Sequence, residues 1–180
     1  GTISSASGFY VGGIAGSLSS SISVFVVEDC TNTASVTSGR SADAGFLNMG
    51  GIVGYNRYGV TITGCTNSGA VNASQSSTKT DMYGIGGIIG KFEDSSANKK
   101  VIIDDCINTG NVTGGRYVGG IAGQGANYAE FINCVTGTAG GSTTIIARYN
   151  ATAVTTHACG AGVLGGALAG SSMKFENCTN

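Results

Sequence analysis

A short pattern of aliphatic residues bracketed by glycines recurs along the chain, and polar segments separate its copies. The five copies read YVGGIAGS (10–17), NMGGIVGY (48–55), GIGGIIGK (84–91), YVGGIAGQ (117–124) and LGGALAGS (164–171). An active site needs unlike residues brought together once, whereas this pattern repeats like residues. Repetition at intervals of a few tens of residues is typical of a repeat architecture.

A second pattern, an apolar strand-like run followed by cysteine, comes after each copy of the first. These strings are VVEDCTNTASV (26–36), TITGCTNSGAV (61–71), IIDDCINTGNV (102–112), EFINCVTGTAG (130–140) and KFENCTN (174–180). Together the two patterns define a two-part unit within a single domain spanning residues 1–180, and the units start near residues 8, 46, 83, 116 and 162. In the fifth unit we align Gly166 with the first glycine, so that Ala167 replaces the second glycine and Leu168 the isoleucine.

Each unit is predicted to contain three short strands: one in the glycine string, one before the cysteine and one near GAV or GNV. None can bury a core alone, so the units are expected to stack with like strands parallel, about 4.8 Å apart. The predicted fold is all-β: a right-handed parallel β-helix, or β-solenoid, of about five irregular coils with loop insertions. The longest insertion, 137–162, has strand-forming residues for an extra hairpin.

Stacking predicts three ladders of equivalent side chains along the axis. The aliphatic ladder would contain Ile14, Ile52, Ile88, Ile121 and Leu168, and the cysteine ladder Cys30, Cys65, Cys106, Cys134 and Cys178. The asparagines of the CTN and CIN strings lie where a coil must turn, and stacked asparagines can hydrogen-bond along the axis. These are Asn32, Asn67, Asn108 and Asn180.

The composition agrees with an all-β fold. The chain of 180 residues contains 32 glycines and has a net charge of -1. Valine and isoleucine far outnumber leucine, which favours strands, and the glycines disfavour helices. The mean hydropathy of +0.19 opposes disorder. The sequence has no basic patch of the kind that binds nucleic acid, and no apolar run is long enough for membrane insertion of this segment.

The strings GGIAG, GGIVG and GGIIG, followed by NTASV, NSGAV and NTGNV, resemble the GLUG-motif repeat family of bacterial surface proteins. The resemblance covers about four units; Ala34 replaces a corner glycine, and CVTGTAG in the fourth unit departs from the pattern. The resemblance implies a secreted or cell-surface bacterial protein with an accessory or adhesive role, and it supplies no catalytic residue. The chain is interpreted as part of a longer polypeptide, the rest of which would be its nearest partner.

Several residues could carry chemistry, but each has a simpler structural explanation. The ladder cysteines are expected to be buried thiols, with disulfides as the alternative in an oxidising compartment. His157 lies two residues before Cys159 in the longest loop, where a solvated histidine is favoured over a nucleophile–base pair. No cofactor, metal ligand set or catalytic residue is predicted.

Three acidic pairs, Glu28–Asp29, Glu93–Asp94 and Asp104–Asp105, could suggest glycosidase carboxylates or a calcium site. The first and third occupy the same repeat position two units apart, roughly 10 Å by strand spacing. Charges solvated at the coil edge are the favoured interpretation.

Tyrosines beside the glycine strings are the candidate ligand-binding residues. An aromatic row on one face could stack sugars or contact a protein, or the rings could simply cover bare glycine backbone. We therefore predict a non-catalytic structural or adhesion module whose partner is a host or cell-surface glycan or protein; the alternative is a carbohydrate-binding or polysaccharide-processing β-helix. The candidate residues are Tyr10, Tyr55, Tyr58, Tyr83, Tyr117 and Tyr128.

Overall fold

The described part of the chain is an all-β stack of parallel coils. The computed structural model describes residues 1–39, 47–73, 84–138, 143–147, 159–167 and 171–180, and these contain strands and turns but no helix. Every strand pairs in parallel with its equivalent in the neighbouring coil, which produces five sheets that run along the stack. The predicted parallel β-helix is therefore confirmed.

Each coil visits the five sheets in the same order. Sheet 1 consists of β1 (Thr2–Ser5), β6 (Ser35–Ser38), β11 (Val71–Ala73), β16 (Val112–Gly114) and β21 (Ile145–Ala147). Sheet 2 consists of β2 (Tyr10–Gly12), β7 (Asn48–Gly50), β12 (Ile85–Gly86), β17 (Tyr117–Gly119) and β22 (Cys159–Ala161). Sheet 3 consists of β3 (Ala15–Ser19), β8 (Val53–Arg57), β13 (Ile89–Glu93), β18 (Ala122–Gly125) and β23 (Leu164–Ala167).

The cysteine strings supply the other two sheets. Sheet 4 consists of β4 (Phe25–Glu28), β9 (Val60–Thr63), β14 (Val101–Asp104), β19 (Tyr128–Ile132) and β24 (Ser172–Glu176). Sheet 5 consists of the two-residue strands β5 (Thr31–Asn32), β10 (Thr66–Asn67), β15 (Ile107–Asn108) and β20 (Val135–Thr136). We number the coils 1 to 5 by their sheet-2 strands β2, β7, β12, β17 and β22.

The glycine string is a bend between two strands, which differs from the strand predicted for it. Sheet 2 ends at the first glycine and sheet 3 begins after the isoleucine. A Cβ atom on Gly50 would lie 2.0 Å from the carbonyl oxygen of Val53, and one on Gly54 would lie 2.7 Å from the backbone nitrogen of Val11 in the previous coil. Backbone therefore packs directly against backbone at Gly50 and Gly54, where a side chain would clash with it.

The interior contains two apolar clusters separated by a contact between glycine and asparagine. One cluster lies around Ile88 and Phe131, and the other lies around Met49 and Val118. Between them, a Cβ on Gly87 would lie 2.2 Å from Cγ of Asn108 and 2.1 Å from the carbonyl oxygen of Gly120. In the first three coils the second glycine of the string therefore lets the backbone lie directly against the asparagine of the same coil, and in coil 4 Gly120 lies against Thr136 in the same way.

The asparagine ladder runs along this narrow part of the coil. Nδ2 of Asn32 donates to Oδ1 of Asn67 at 2.8 Å, and Nδ2 of Asn67 donates to Oδ1 of Asn108 at 2.8 Å. Each amide also donates at 2.9 Å to a backbone carbonyl two residues further on. Thr136 occupies the equivalent position in coil 4. The axial asparagine bonds are therefore confirmed for the first three coils.

The register of the fifth coil differs from the sequence alignment. Gly119 pairs with Ala161 and Ala122 pairs with Leu164, so the fifth copy is AGVLG (161–165). The carbonyl of Val163 accepts hydrogen bonds from the backbone N–H groups of Ile121 and Ala122, so Val163 takes the place on the aliphatic ladder that we assigned to Leu168. Gly166 and Ala167 belong to the strand that follows the bend, and Leu168 lies outside the described residues.

The long insertion after the fourth cysteine contains the last strand of sheet 1. β21 pairs in parallel with β16, so Ile145–Ala147 is the third strand of the fourth unit, displaced along the sequence. The rest of the predicted hairpin, beyond residue 147, lies outside the described residues.

Candidate functional site

Two of the candidate tyrosines stack on each other between coils 1 and 2. The rings of Tyr10 and Tyr55 are nearly parallel, with centroids 4.4 Å apart. Tyr10 is 42% exposed, whereas Tyr55 is 7% exposed. The Tyr55 hydroxyl donates a hydrogen bond to Oε1 of Glu93. The pKa of Tyr55 is raised, mainly by burial and to a smaller extent by this hydrogen bond. The hydroxyl therefore stays protonated and continues to donate to the carboxylate of Glu93.

Tyr58 occupies a corner whose backbone is unusual for a bulky residue. Its φ is 78°, in the left-handed region, and the equivalent corners of the next two coils carry Asp94 and Asn127, at 55° and 68°. Small polar residues tolerate this region, whereas a large ring does not favour it. The guanidinium of Arg57 lies over the Tyr58 ring at 5.2 Å and its Nε is 2.8 Å from Oδ2 of Asp94. These contacts hold the strained corner against the coil.

The remaining candidates lie elsewhere on the solenoid. Tyr117 takes the same sheet-2 position as Tyr10, as expected, but three coils away, and Arg116 lies over its ring at 4.8 Å. Tyr128 begins a strand of sheet 4 and is 40% exposed. Tyr83 lies outside the described residues. The described tyrosines therefore form separate sites instead of one continuous row.

The acidic pairs divide into an outward residue and a corner residue. Glu28, Thr63 and Asp104 are register partners in sheet 4, which confirms that Glu28 and Asp104 share one position two coils apart. The second acid of each pair has a positive φ, 52° at Asp29 and 50° at Asp105. Asp29 and Asp105 therefore lie in the turn after each strand, where the backbone is in the left-handed region that aspartate tolerates.

A signal for this corner is present in the sequence, although the sequence patterns above did not single it out. The residue before each ladder cysteine is always Asp, Gly or Asn, the types that best tolerate a left-handed backbone. All five have φ between 50° and 62° in the structure: Asp29, Gly64, Asp105, Asn133 and Asn177.

The ladder cysteines stack as thiols. Cys65, Cys106 and Cys134 are fully buried, and Cys30 and Cys178 at the two ends are partly buried. Each thiol lies within hydrogen-bond distance of the carbonyl two residues before it, for example 3.2 Å from Cys106 to Asp104. Burial raises the pKa of Cys134 to about 12. These thiols therefore have the character of small core side chains.

No metal-ligand cluster assembles within the described ranges. No three His, Cys, Asp or Glu side chains there converge as metal ligands would. His157 lies outside those ranges, and so does the side chain of Cys159, so their predicted independence stays a prediction. A membrane-spanning helix is also absent from the part of the chain that the structure describes.

Comparisons with known proteins give one distant similarity. The chain matches no family model, and no solved structure matches it. It is 31% identical over 131 residues to Halomucin of Haloquadratum walsbyi. That alignment covers 69% of this chain but only 1% of Halomucin, so the chain spans about a hundredth of the length of this curated relative.

Proposed function

We propose that this chain is a non-catalytic structural and adhesion module of a secreted or cell-surface protein, related to the GLUG-motif repeats of bacteria. The observation that carries the proposal is that the repeated residues build the fold itself. The glycines allow the bends, the isoleucines and cysteines fill the core, and the asparagines bond from coil to coil. The motif thus builds an extended regular surface, which is what a stalk or adhesive module presents.

The similarity to a segment of Halomucin is compatible with this proposal. The match covers a minute part of a much longer chain, as expected for a module within a large surface protein. The GLUG resemblance supports the same role, because it rests on the residues that form the bends and the asparagine corners.

A polysaccharide-processing β-helix is the competing function, because Glu28 and Asp104 lie in one outward row. Two coils separate them, roughly 10 Å, close to the spacing of the two carboxyl groups in inverting glycosidases. Their partners Asp29 and Asp105, however, turn into left-handed corners. We therefore favour edge charges over a catalytic pair.

Replacing Asp104 and Asp105 together with asparagine tests the two functions. Asparagine already occupies the corner position in coils 4 and 5, so the double variant should fold normally. A module should show no release of reducing ends or unsaturated uronates from a panel of polysaccharides, before or after the change. Turnover by the native chain that falls by several orders of magnitude in the variant would establish the enzyme instead.

A further inference from the structure

The outer face of sheet 4 carries a regular grid of side chains around Tyr128. The register places Tyr128 beside Ser172 of the next coil and Glu130 beside Lys174. Lys100, one residue before Val101, lies next to Tyr128 on the other side, because Val101 pairs with Ala129. One exposed aromatic ring therefore has a long cationic neighbour on one side and a serine on the other.

The small serine leaves space beside the ring. The cavity there has a volume of about 320 Å³ and is lined by Tyr128, Ser172, Lys174, Met173, Glu130 and Lys100, together with Ala97 and Ala129. This volume is at the lower end of the range for small-molecule sites, which suits a single ring-sized unit. Tyr128 is 40% exposed at the start of its strand, so its ring is available to a ligand.

The polar groups around the cavity are balanced in charge and held in place. Nζ of Lys100 lies 2.6 Å from Oε1 of Glu130, and Lys174 pairs with Glu176. The hydrogen bond from Lys100 lowers the pKa of Glu130, which keeps that carboxylate ionised. The lining carries two lysines and one glutamate, and Glu176, outside the lining, balances the charge of Lys174. The four groups together offer donors and acceptors with no net charge.

We propose that this cavity binds a neutral pyranose unit of a glycan, with the sugar ring stacked on Tyr128 above Ser172. A sugar combines an apolar C–H face with hydroxyl groups that both donate and accept hydrogen bonds. The tyrosine ring fits the apolar face, and the lysine and glutamate groups fit the hydroxyls. The proposal deepens the adhesive part of the proposed function and rests on it.

The test is a titration of the intact chain with neutral and with uronate-containing oligosaccharides, in which binding is measured by calorimetry or NMR. The native chain should bind a neutral oligosaccharide, and added salt should change the affinity little, because no net charge is neutralised. Tyr128→Ala should weaken binding about tenfold, the typical effect of losing one stacking ring. Ser172→Leu should also weaken binding, because the larger side chain fills the space beside the ring.

Phe9→Ala is the control, since Phe9 is an exposed aromatic residue that lies outside sheet 4 and is not a candidate ligand-binding residue. Its affinity should equal that of the native chain. Equal losses in the two aromatic variants, a preference for uronates that salt abolishes, or no binding by a correctly folded native chain would each overturn the site. Those outcomes leave the non-catalytic module in place, whereas carboxylate-dependent turnover would contradict the module itself.

Discussion

At the scale of single residues, the second glycine of each string has the most demanding position. In the first four coils, a Cβ on this glycine would collide with a backbone carbonyl of the next coil and with the corner side chain of its own coil. Its backbone does not need a left-handed conformation, so close packing alone excludes other residues. Gly39, by contrast, has open space around it, because a Cβ added there would meet no atom within 4 Å.

Gly87→Val should therefore destabilise the fold even though valine favours strands. Overpacking costs about 1–3 kcal/mol where side chains can adjust, and more is expected here because the clash is with backbone. The free energy of unfolding, measured in urea for Gly87→Val and Gly39→Ala, checks this. A large loss at Gly87 with little change at Gly39 is expected; a stable Gly87→Val would contradict the packing described here.

Residue types alone predicted much of this level but not all of it. The positions of the first three ladder asparagines and of the aliphatic residues could be predicted from the sequence, because one residue type recurs at one position of the repeat. The fifth coil was not, since both AGVLG and GALAG fit a pattern of glycine and aliphatic residues. The pairing of Gly119 with Ala161 and of Ala122 with Leu164 distinguishes the two registers. The contact of Tyr10 with Tyr55 was also unreadable, because it joins different positions in adjacent coils.

At the scale of elements, the short strands of sheet 5 depend on the asparagine ladder. Each of these strands has only two residues. In β10 and β15 the second residue is an asparagine, Asn67 or Asn108, whose side chain is fully buried. Removing the amide of Asn67 takes the side-chain donor from the carbonyl of Gly69 and one hydrogen bond from each of the neighbouring amides, Asn32 and Asn108. Buried polar groups without partners are costly, about 1–3 kcal/mol each.

Asn67→Ala should consequently lower the free energy of unfolding by about 2 kcal/mol or more. Asn72→Ala, on an exposed position of sheet 1, is the control and should have little effect. Chemical denaturation of both variants measures the difference. Equal stability of the two would show that the axial amide bonds contribute nothing to the stack.

The cysteine ladder predicts a gradient of thiol reactivity. Only the thiolate reacts, and burial raises the pKa of Cys134 to about 12, so near pH 8 this thiol is both inaccessible and protonated. The hydrogen bond with Cys106 lowers the pKa of Cys65, so burial alone protects that thiol. Cys65, Cys106 and Cys134 should resist a thiol reagent in the native state because all three are fully buried, Cys30 and Cys178 should react slowly, and all should react in denaturant. Mass spectrometry of the labelled peptides measures this. Disulfides between neighbouring coils would contradict the ladder of thiols.

At the scale of the whole molecule, stability is a sum of contacts between adjacent coils. A central aliphatic residue is covered on both sides, whereas one at the end has a free face. Ile88 is completely buried, and Ile14, its equivalent in the first coil, is 50% exposed. The same substitution at these two positions therefore compares the middle of the stack with its end.

Ile88→Ala should cost about 2–5 kcal/mol, because it removes buried apolar surface and leaves a cavity. Ile14→Ala should cost less than half as much. Urea unfolding of the two variants gives the comparison. Similar losses would mean that the coils do not support one another in the order described.

The asparagine ladder also gives the stack an uneven resistance to force. All its amides donate in one direction, from coil 1 towards coil 3, and bonds aligned in this way polarise one another. Thr136 has no amide to extend the series, and its hydroxyl instead donates to the carbonyl of Gly162 at 2.6 Å. Under tension along the axis, the junction between coils 3 and 4 therefore lacks the amide bond that crosses each of the two junctions before it, and it relies on the backbone ladders and on contacts such as Lys100 with Glu130.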